Sequence, residues 1–196
     1  SRCTFYYPSG EAKQEYGLTM GGLGQFARVP DDIKRWKDKH PRLMQWASWL
    51  VPLEAINTWQ YVVFSMIRAM RCIVQPKQAE LVEVRYADRS ERFRLLAGML
   101  LNFDFPQLPI QGGCDISESR LVLCLIPHEG RGQTIWTLLN WRNLNHRVRK
   151  YEITPERPIE ILFPESSSTT LALDEDTFTA PARIRFEVAD PVRFVI

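Results

Sequence analysis

The sequence predicts an α+β protein in which a helical N-terminal part precedes an antiparallel β-sandwich or barrel-like C-terminal part. Apolar residues recur at three- and four-residue steps before Gln75-Pro76, which is the spacing of an amphipathic helix. After that point they alternate with polar residues, as in half-buried strands. Proline- and serine-containing turns then separate short strand-like runs, a pattern typical of sandwiches and barrels.

The same patterns divide the chain into three parts. Residues 1–30 are expected to form an irregular arm, because "GLTMGGLGQF" contains four glycines and no clear periodicity. Residues 31–75 are expected to be a helical segment, and residues 76–196 a β-rich domain.

The helical segment has recognisable start signals and a clear apolar face. Pro30-Asp31-Asp32 suits a helix N-terminus, where acidic side chains interact favourably with the helix dipole. Four of the six tryptophans lie in this part of the chain, and we expect them to build a helical core. The expected core-facing residues of its longest helix are Leu53, Ile56, Trp59, Val63, Ile67 and Met70.

The β-rich part contains several strand candidates. The firmest are "ELVEVRYAD", "KYEIT", "PIEILF", "TTLAL" and "ARIRFEV". "RLVLCLIP" is apolar on both faces and predicts a strand that is covered on both sides. "HEGRG" is expected to be a hairpin loop leading into a strand at "QTIWTLLNW", although a helix from Thr134 to Lys150 also fits this stretch.

Composition narrows the class of protein. The chain has 196 residues and a net charge of +2, so its overall charge does not single out nucleic acid or an anionic membrane. Four cysteines without a C-x-x-C pair favour a reducing compartment such as the cytoplasm. The stretch Leu50 to Val74 is too polar to span a membrane. Three scattered histidines without ligand spacing predict no metal site, and no cofactor is predicted.

One candidate for covalent chemistry is Cys114, which follows Gly112-Gly113. A nucleophilic thiol needs a base and backbone N–H donors for the oxyanion. His128 stands at the far end of an eight-residue strand, roughly 26 Å from Cys114. His146 is the better geometric partner, and a cysteine hydrolase with a Cys114/His146 pair is one alternative function. A loop thiol without catalytic function is the simpler interpretation.

A second candidate is the basic and aromatic stretch "WRNLNHRVRKY". Arginines contact phosphates and aromatic rings stack on bases, so this stretch predicts a nucleic-acid-binding module as another alternative function. Its expected binding residues are Trp141, Arg142, Arg147, Arg149 and Lys150.

The leading prediction is a non-enzymatic subunit that acts through protein–protein contacts or self-assembly. The arm at residues 1–30 has little pattern of its own, and such segments often become ordered against a partner. The final strand-like run "VRFVI" has nothing after it to cover its edge. The arm and the sheet edges are the expected contact surfaces.

Overall fold

The computed structural model describes residues 2–16, 20–42, 53–75, 79–104, 110–114, 120–164, 170–173, 176–179 and 181–189. Eleven strands in these residues form one sheet with antiparallel pairing throughout. The strands are β1 Arg2–Tyr6, β2 Ala12–Tyr16, β3 Met20–Gly24, β4 Glu80–Tyr86, β5 Arg89–Leu101, β6 Leu121–Pro127, β7 Arg149–Ile153, β8 Ile159–Leu162, β9 Thr170–Leu173, β10 Asp176–Thr179 and β11 Arg183–Glu187. The helices are α1 Val29–Lys39, α2 Leu53–Val74 and α3 Arg131–Leu139, with 3-10 helices at Phe26–Arg28 and Trp141–Arg147.

The predicted order of a helical N-terminal part followed by a β-sandwich or barrel is wrong. In chain order, helices α1 and α2 follow the first three strands and precede the other eight, and all eleven strands belong to a single sheet. Residues of the predicted irregular arm form β1, β2 and β3. Strand β1 pairs with β11 and β2, while β3 lies between β5 and β9. The predicted domain boundaries at residues 30 and 75 stay a prediction.

The glycines of β3 have a packing reason. A Cβ at Gly21 would stand 3.1 Å from Leu173 Cδ2 and 3.3 Å from Leu100 Cβ, closer than ordinary van der Waals contact, so this glycine allows β3 to pack closely between β9 and β5. Gly24 has φ of 62°, a value that favours glycine, at the end of β3 where the chain turns into the 3-10 helix.

Strand β5 organises the sheet. Its first half pairs with β4, and its second half lies between β3 and β6 after an irregularity at Leu95–Ala97. Strand β6 is buried on both faces, as its sequence predicted. Leu121, Leu123 and Leu125 enter one apolar cluster, while the intervening residues enter a second cluster that includes Ala69 and Cys72 of α2. The sheet is therefore covered by α2 on one side.

Helix α1 packs against α2 through one ion pair and one ring contact. The guanidinium of Arg68 donates two hydrogen bonds to the carboxylate of Asp32, with N···O distances of 2.6 and 2.7 Å. The rings of Trp36 and Phe64 meet edge to face, with centroids 6.4 Å apart. These contacts fix which side of α2 faces the rest of the protein.

The prediction that "HEGRG" is a hairpin loop leading into a strand at "QTIWTLLNW" is wrong. Residues 131–139 form α3, a 3-10 helix follows, and the partner of β6 is β7. Gly130 begins the helix with φ of 123°, a value that favours glycine. The alternative of a helix within residues 134–150 is thus nearer to the structure.

Candidate functional site

The apolar side of α2 points away from the protein. Five large apolar side chains on it are exposed, from 38% at Ile67 to 72% at Val74. They repeat at three- and four-residue steps along about 22 Å of helix. We call them the outer stripe: Trp59, Val63, Ile67, Met70 and Val74.

The opposite side of α2 packs on the sheet with smaller and more polar residues. Ser65, Ala69 and Cys72 are buried there, the last two in a cluster with Leu96 and Ala97 of β5. The expectation that Trp59, Val63, Ile67 and Met70 face a helical core is therefore wrong. The side chains of Leu53 and Ile56, which were expected on the same face, lie outside the described part of the structure. Trp46 and Trp49, which were expected in the same core, lie outside the described residues.

Helix α3 carries a second group of exposed apolar side chains. It packs beside α2, and a small cavity of ≈30 Å³ separates Met66 of α2 from Leu138 of α3. The other side of α3 exposes three large apolar side chains. We use the term apolar platform for the outer stripe together with Ile135, Trp136 and Leu139.

The charged residues of the two helix segments that carry the apolar platform are all positive. Residues 59–74 of α2 and the whole of α3 contain three charged residues, and all three are arginines. Arg68 pairs with Asp32. Arg71 and Arg131 are exposed, and neither forms an ion pair within the described part of the chain. The platform therefore combines aromatic and aliphatic side chains with two cationic groups.

A polar cleft of ≈420 Å³ opens on another side of α3, between the end of β6 and the second 3-10 helix. Its polar lining residues are Glu129, Gln133, Thr137, His146, Arg147 and Arg149. Arg149 is held by Glu91 at 2.7 Å and lies over the ring of Phe93, 4.5 Å from the ring centre.

The remaining guanidinium of the cleft, that of Arg147, lacks such contacts. Its Nη1 atom is buried and has no hydrogen-bond partner among the described residues. A buried polar group without a partner typically costs about 1–3 kcal/mol, and a charged one costs more. The cleft thus contains an unsatisfied cationic donor.

His128 joins the end of β6 to the start of α3. The hydroxyl of Thr134 donates to the carbonyl of Gly130 at 3.0 Å, so it accepts the Nδ1–H of His128 at 2.7 Å. Burial, with a smaller contribution from the positive charge of Arg94, lowers the pKa of His128 below its ordinary value. Its position makes "HEGRG" the start of helix α3.

We expect His128 to make the protein less stable as the pH falls from about 7 to about 5. Unfolded His128 binds a proton near pH 6.5, whereas the folded state resists protonation, so acid favours unfolding. Denaturant unfolding of the wild type and of His128→Gln across this range measures the effect. The variant should lose less stability than the wild type, and identical pH profiles would contradict this origin.

Cys114 is buried, and its surroundings do not favour the predicted thiol chemistry. Its Sγ lies 3.7 Å from the carbonyl of Leu101. The backbone N–H groups of Gly112 and Gly113, which an oxyanion would need, donate to the carboxylate of Asp104. A Cβ at Gly112 would stand 2.9 Å from Cys114 Sγ, so the two glycines shape a tight turn around the thiol. His146 is exposed and lines the polar cleft.

The predicted nucleic-acid-binding residues are spread over different environments. The side chains of Trp141 and Arg142 lie outside the described part of the structure. Arg147 and Arg149 line the polar cleft, the latter already paired, and Lys150 is exposed on β7.

Comparison with known proteins gives limited likenesses. No protein family profile matches the chain, and no curated protein matches it in sequence. A solved diacylglycerol kinase from Bacillus anthracis strain Sterne is 8% identical, with a TM-score of 0.44 over 95% of this chain. Two structures from the same strain, provisionally described as diacylglycerol kinases, are 13% and 14% identical, each with a TM-score of 0.47 over 97% and 95% of this chain.

This chain spans about half the length of those structures, namely 51%, 57% and 54% of them. All three are described as kinases and none as a structural or interaction subunit. The prediction of a non-enzymatic assembly subunit is corrected on this finding. Neither that prediction nor its nucleic-acid-binding and cysteine-hydrolase alternatives are retained. With TM-scores below 0.5, the function proposed next is argued from the chain's own geometry.

Proposed function

We propose that the protein binds the surface of an anionic lipid membrane through the apolar platform. The observation that carries this proposal is the orientation of α2. Five large apolar side chains, those of the outer stripe, are exposed, while Ser65, Ala69 and Cys72 on the other side of the helix are buried. An apolar helix face of this length is unusual on a surface that meets only water.

The chemistry of the platform favours a lipid interface. Amphipathic helices that lie in the headgroup region present tryptophan and aliphatic side chains to the acyl boundary and basic side chains to the headgroups. Trp59 and Trp136 supply the aromatic groups, and Arg71 and Arg131 supply the charges. Each basic residue near an anionic bilayer contributes about 1 kcal/mol.

The surface along the C-terminal half of the outer stripe is a shallow depression of ≈500 Å³, lined by Ile67, Met70, Arg71, Val74 and Gln75. The cavity between α2 and α3 measures ≈30 Å³, which is room for little more than water. The apolar side chains beside the depression project outward, as required for shallow insertion into a membrane.

In the described residues, no helix is long and apolar enough to cross a bilayer. Binding is therefore proposed to be peripheral. We also retain the proposal of a reducing compartment, which is supported by the burial of all four cysteines in the apolar interior.

Flotation with lipid vesicles tests the proposal. We expect the wild type to float with vesicles of phosphatidylcholine and phosphatidylglycerol. The double variant Val63→Ser, Ile67→Ser should bind at least about tenfold more weakly, because burying each large apolar side chain contributes about 1.5–3 kcal/mol when complete. Arg71→Gln should weaken binding about fivefold, and mainly at low salt.

Tyr16→Ser is the matched control, because Tyr16 is a large exposed side chain, more exposed than Val63 or Ile67, but lies on the edge strand β2. This variant should float like the wild type. Equal flotation of all variants would contradict the proposal. The proposal would also be contradicted if the wild type did not bind vesicles and size-exclusion chromatography showed that it self-associates through the same residues.

A further inference from the structure

The polar cleft beside α3 is separate from the apolar platform. It uses Gln133 and Thr137 of α3, whereas the platform uses Ile135, Trp136 and Leu139. Its volume of ≈420 Å³ lies within the range of small-molecule sites, and polar side chains dominate its lining.

The charges in the cleft leave one cation without a partner. Arg149 is neutralised by Glu91, which accepts its hydrogen bond. Glu129 is the one acidic residue in the described lining, and no ion pair joins it to Arg147 in the described part of the chain. His146 adds a further ring nitrogen on the same side. The guanidinium of Arg147 therefore remains available.

A buried guanidinium nitrogen calls for an acceptor. Nη1 of Arg147 is shielded from solvent and meets no acceptor among the described residues. The planar fork of arginine matches the geometry of phosphate oxygens, which accept two parallel N–H bonds. A phosphate group in the cleft would supply acceptors to the guanidinium of Arg147, which lines the cleft together with Gln133 and His146.

We propose that this cleft binds a phosphate group, with Arg147 as its principal ligand. The inference does not rest on membrane binding, because the two sites share no residue. The phosphate can come from a soluble phosphate ester or from a phospholipid headgroup, and both sources present the same oxygens to Arg147.

Isothermal titration with two probes tests the proposal and separates the sources. One probe is inorganic phosphate, and the other is the water-soluble short-chain lipid dihexanoyl phosphatidic acid. We expect Arg147→Gln to weaken binding at least about tenfold, since a charge-assisted, two-pronged contact is lost. The affinity of Arg147→Lys should lie between those of the wild type and Arg147→Gln, because lysine keeps the positive charge but lacks the planar pair of N–H donors.

Arg157→Gln is the matched control, since it removes one exposed positive charge outside the cleft lining and should leave both affinities unchanged. Gln133→Glu provides a second variant that leaves Arg147 in place, and its added negative charge should repel phosphate. Binding of both probes identifies a free phosphate group as sufficient. Binding of the lipid alone identifies the headgroup as the source. Absence of binding, or binding unaffected by both cleft variants, would overturn the proposal.

Discussion

Replacing Gly98 with valine is expected to lower the free energy of unfolding by about 3 kcal/mol. Gly98 lies in β5, directly opposite Leu23 of β3 and Leu125 of β6. A Cβ at this position would stand 2.6 Å from Leu125 Cδ2 and 3.1 Å from Leu23 Cβ. Both leucines are fully buried, so neither side chain has free space into which it can move.

Urea unfolding followed by circular dichroism measures this change. Gly132→Ala is the control, because a Cβ there meets no atom within 4 Å and the residue lies in α3. Alanine in a helix should raise stability by about 0.5–1 kcal/mol. If Gly98→Val were as stable as the wild type, the close approach of β3, β5 and β6 described above would be wrong.

The sequence was a good guide to individual strands because their signal is local. Ile184 and Phe186 alternate with Arg183 and Arg185, and in the structure the two apolar residues of β11 are fully buried. Such alternation needs only a few neighbouring residues to be read.

The order of the sheet was not accessible in the same way. Cys3 of β1 lies opposite Phe186 of β11, 183 positions further along the chain. No pattern within residues 2–6 reveals a partner so distant, and the glycines of β3 resemble those of a flexible loop. The arm was therefore mistaken for irregular chain, and the position of the helices between strands was missed.

The candidate site was hidden by an ambiguity of amphipathic helices. Periodicity shows that α2 has an apolar face, but a face that meets the core and one that meets a membrane give the same spacing. The signal that was overlooked lies on the other face, where Ser65, Ala69 and Cys72 are small enough to approach the sheet closely. For Arg147, the 3-10 helix that turns it into the cleft has no periodic signature.

Replacing Asp32 with alanine is expected to cost about 3 kcal/mol of stability, because it leaves Arg68 largely buried without its partner. The side chains of Arg68 and Asp32 are only 12% and 15% exposed, and two short hydrogen bonds join them. The pair ties α1 to one flank of α2. Its loss should also loosen the helix about its axis and weaken vesicle binding, because the outer stripe would no longer be held outward.

The double variant Asp32→Leu, Arg68→Met separates stability from orientation. Two apolar side chains of similar size fill the same space without a buried charge, so most of the lost stability should return. Vesicle binding should remain weak. Without the ion pair, that flank of α2 is apolar like the outer stripe, so no polar contact determines which side of the helix faces the protein. Urea unfolding and flotation measure the two effects, and recovery of both would mean that packing of α2 on β5 alone sets the direction of the outer stripe.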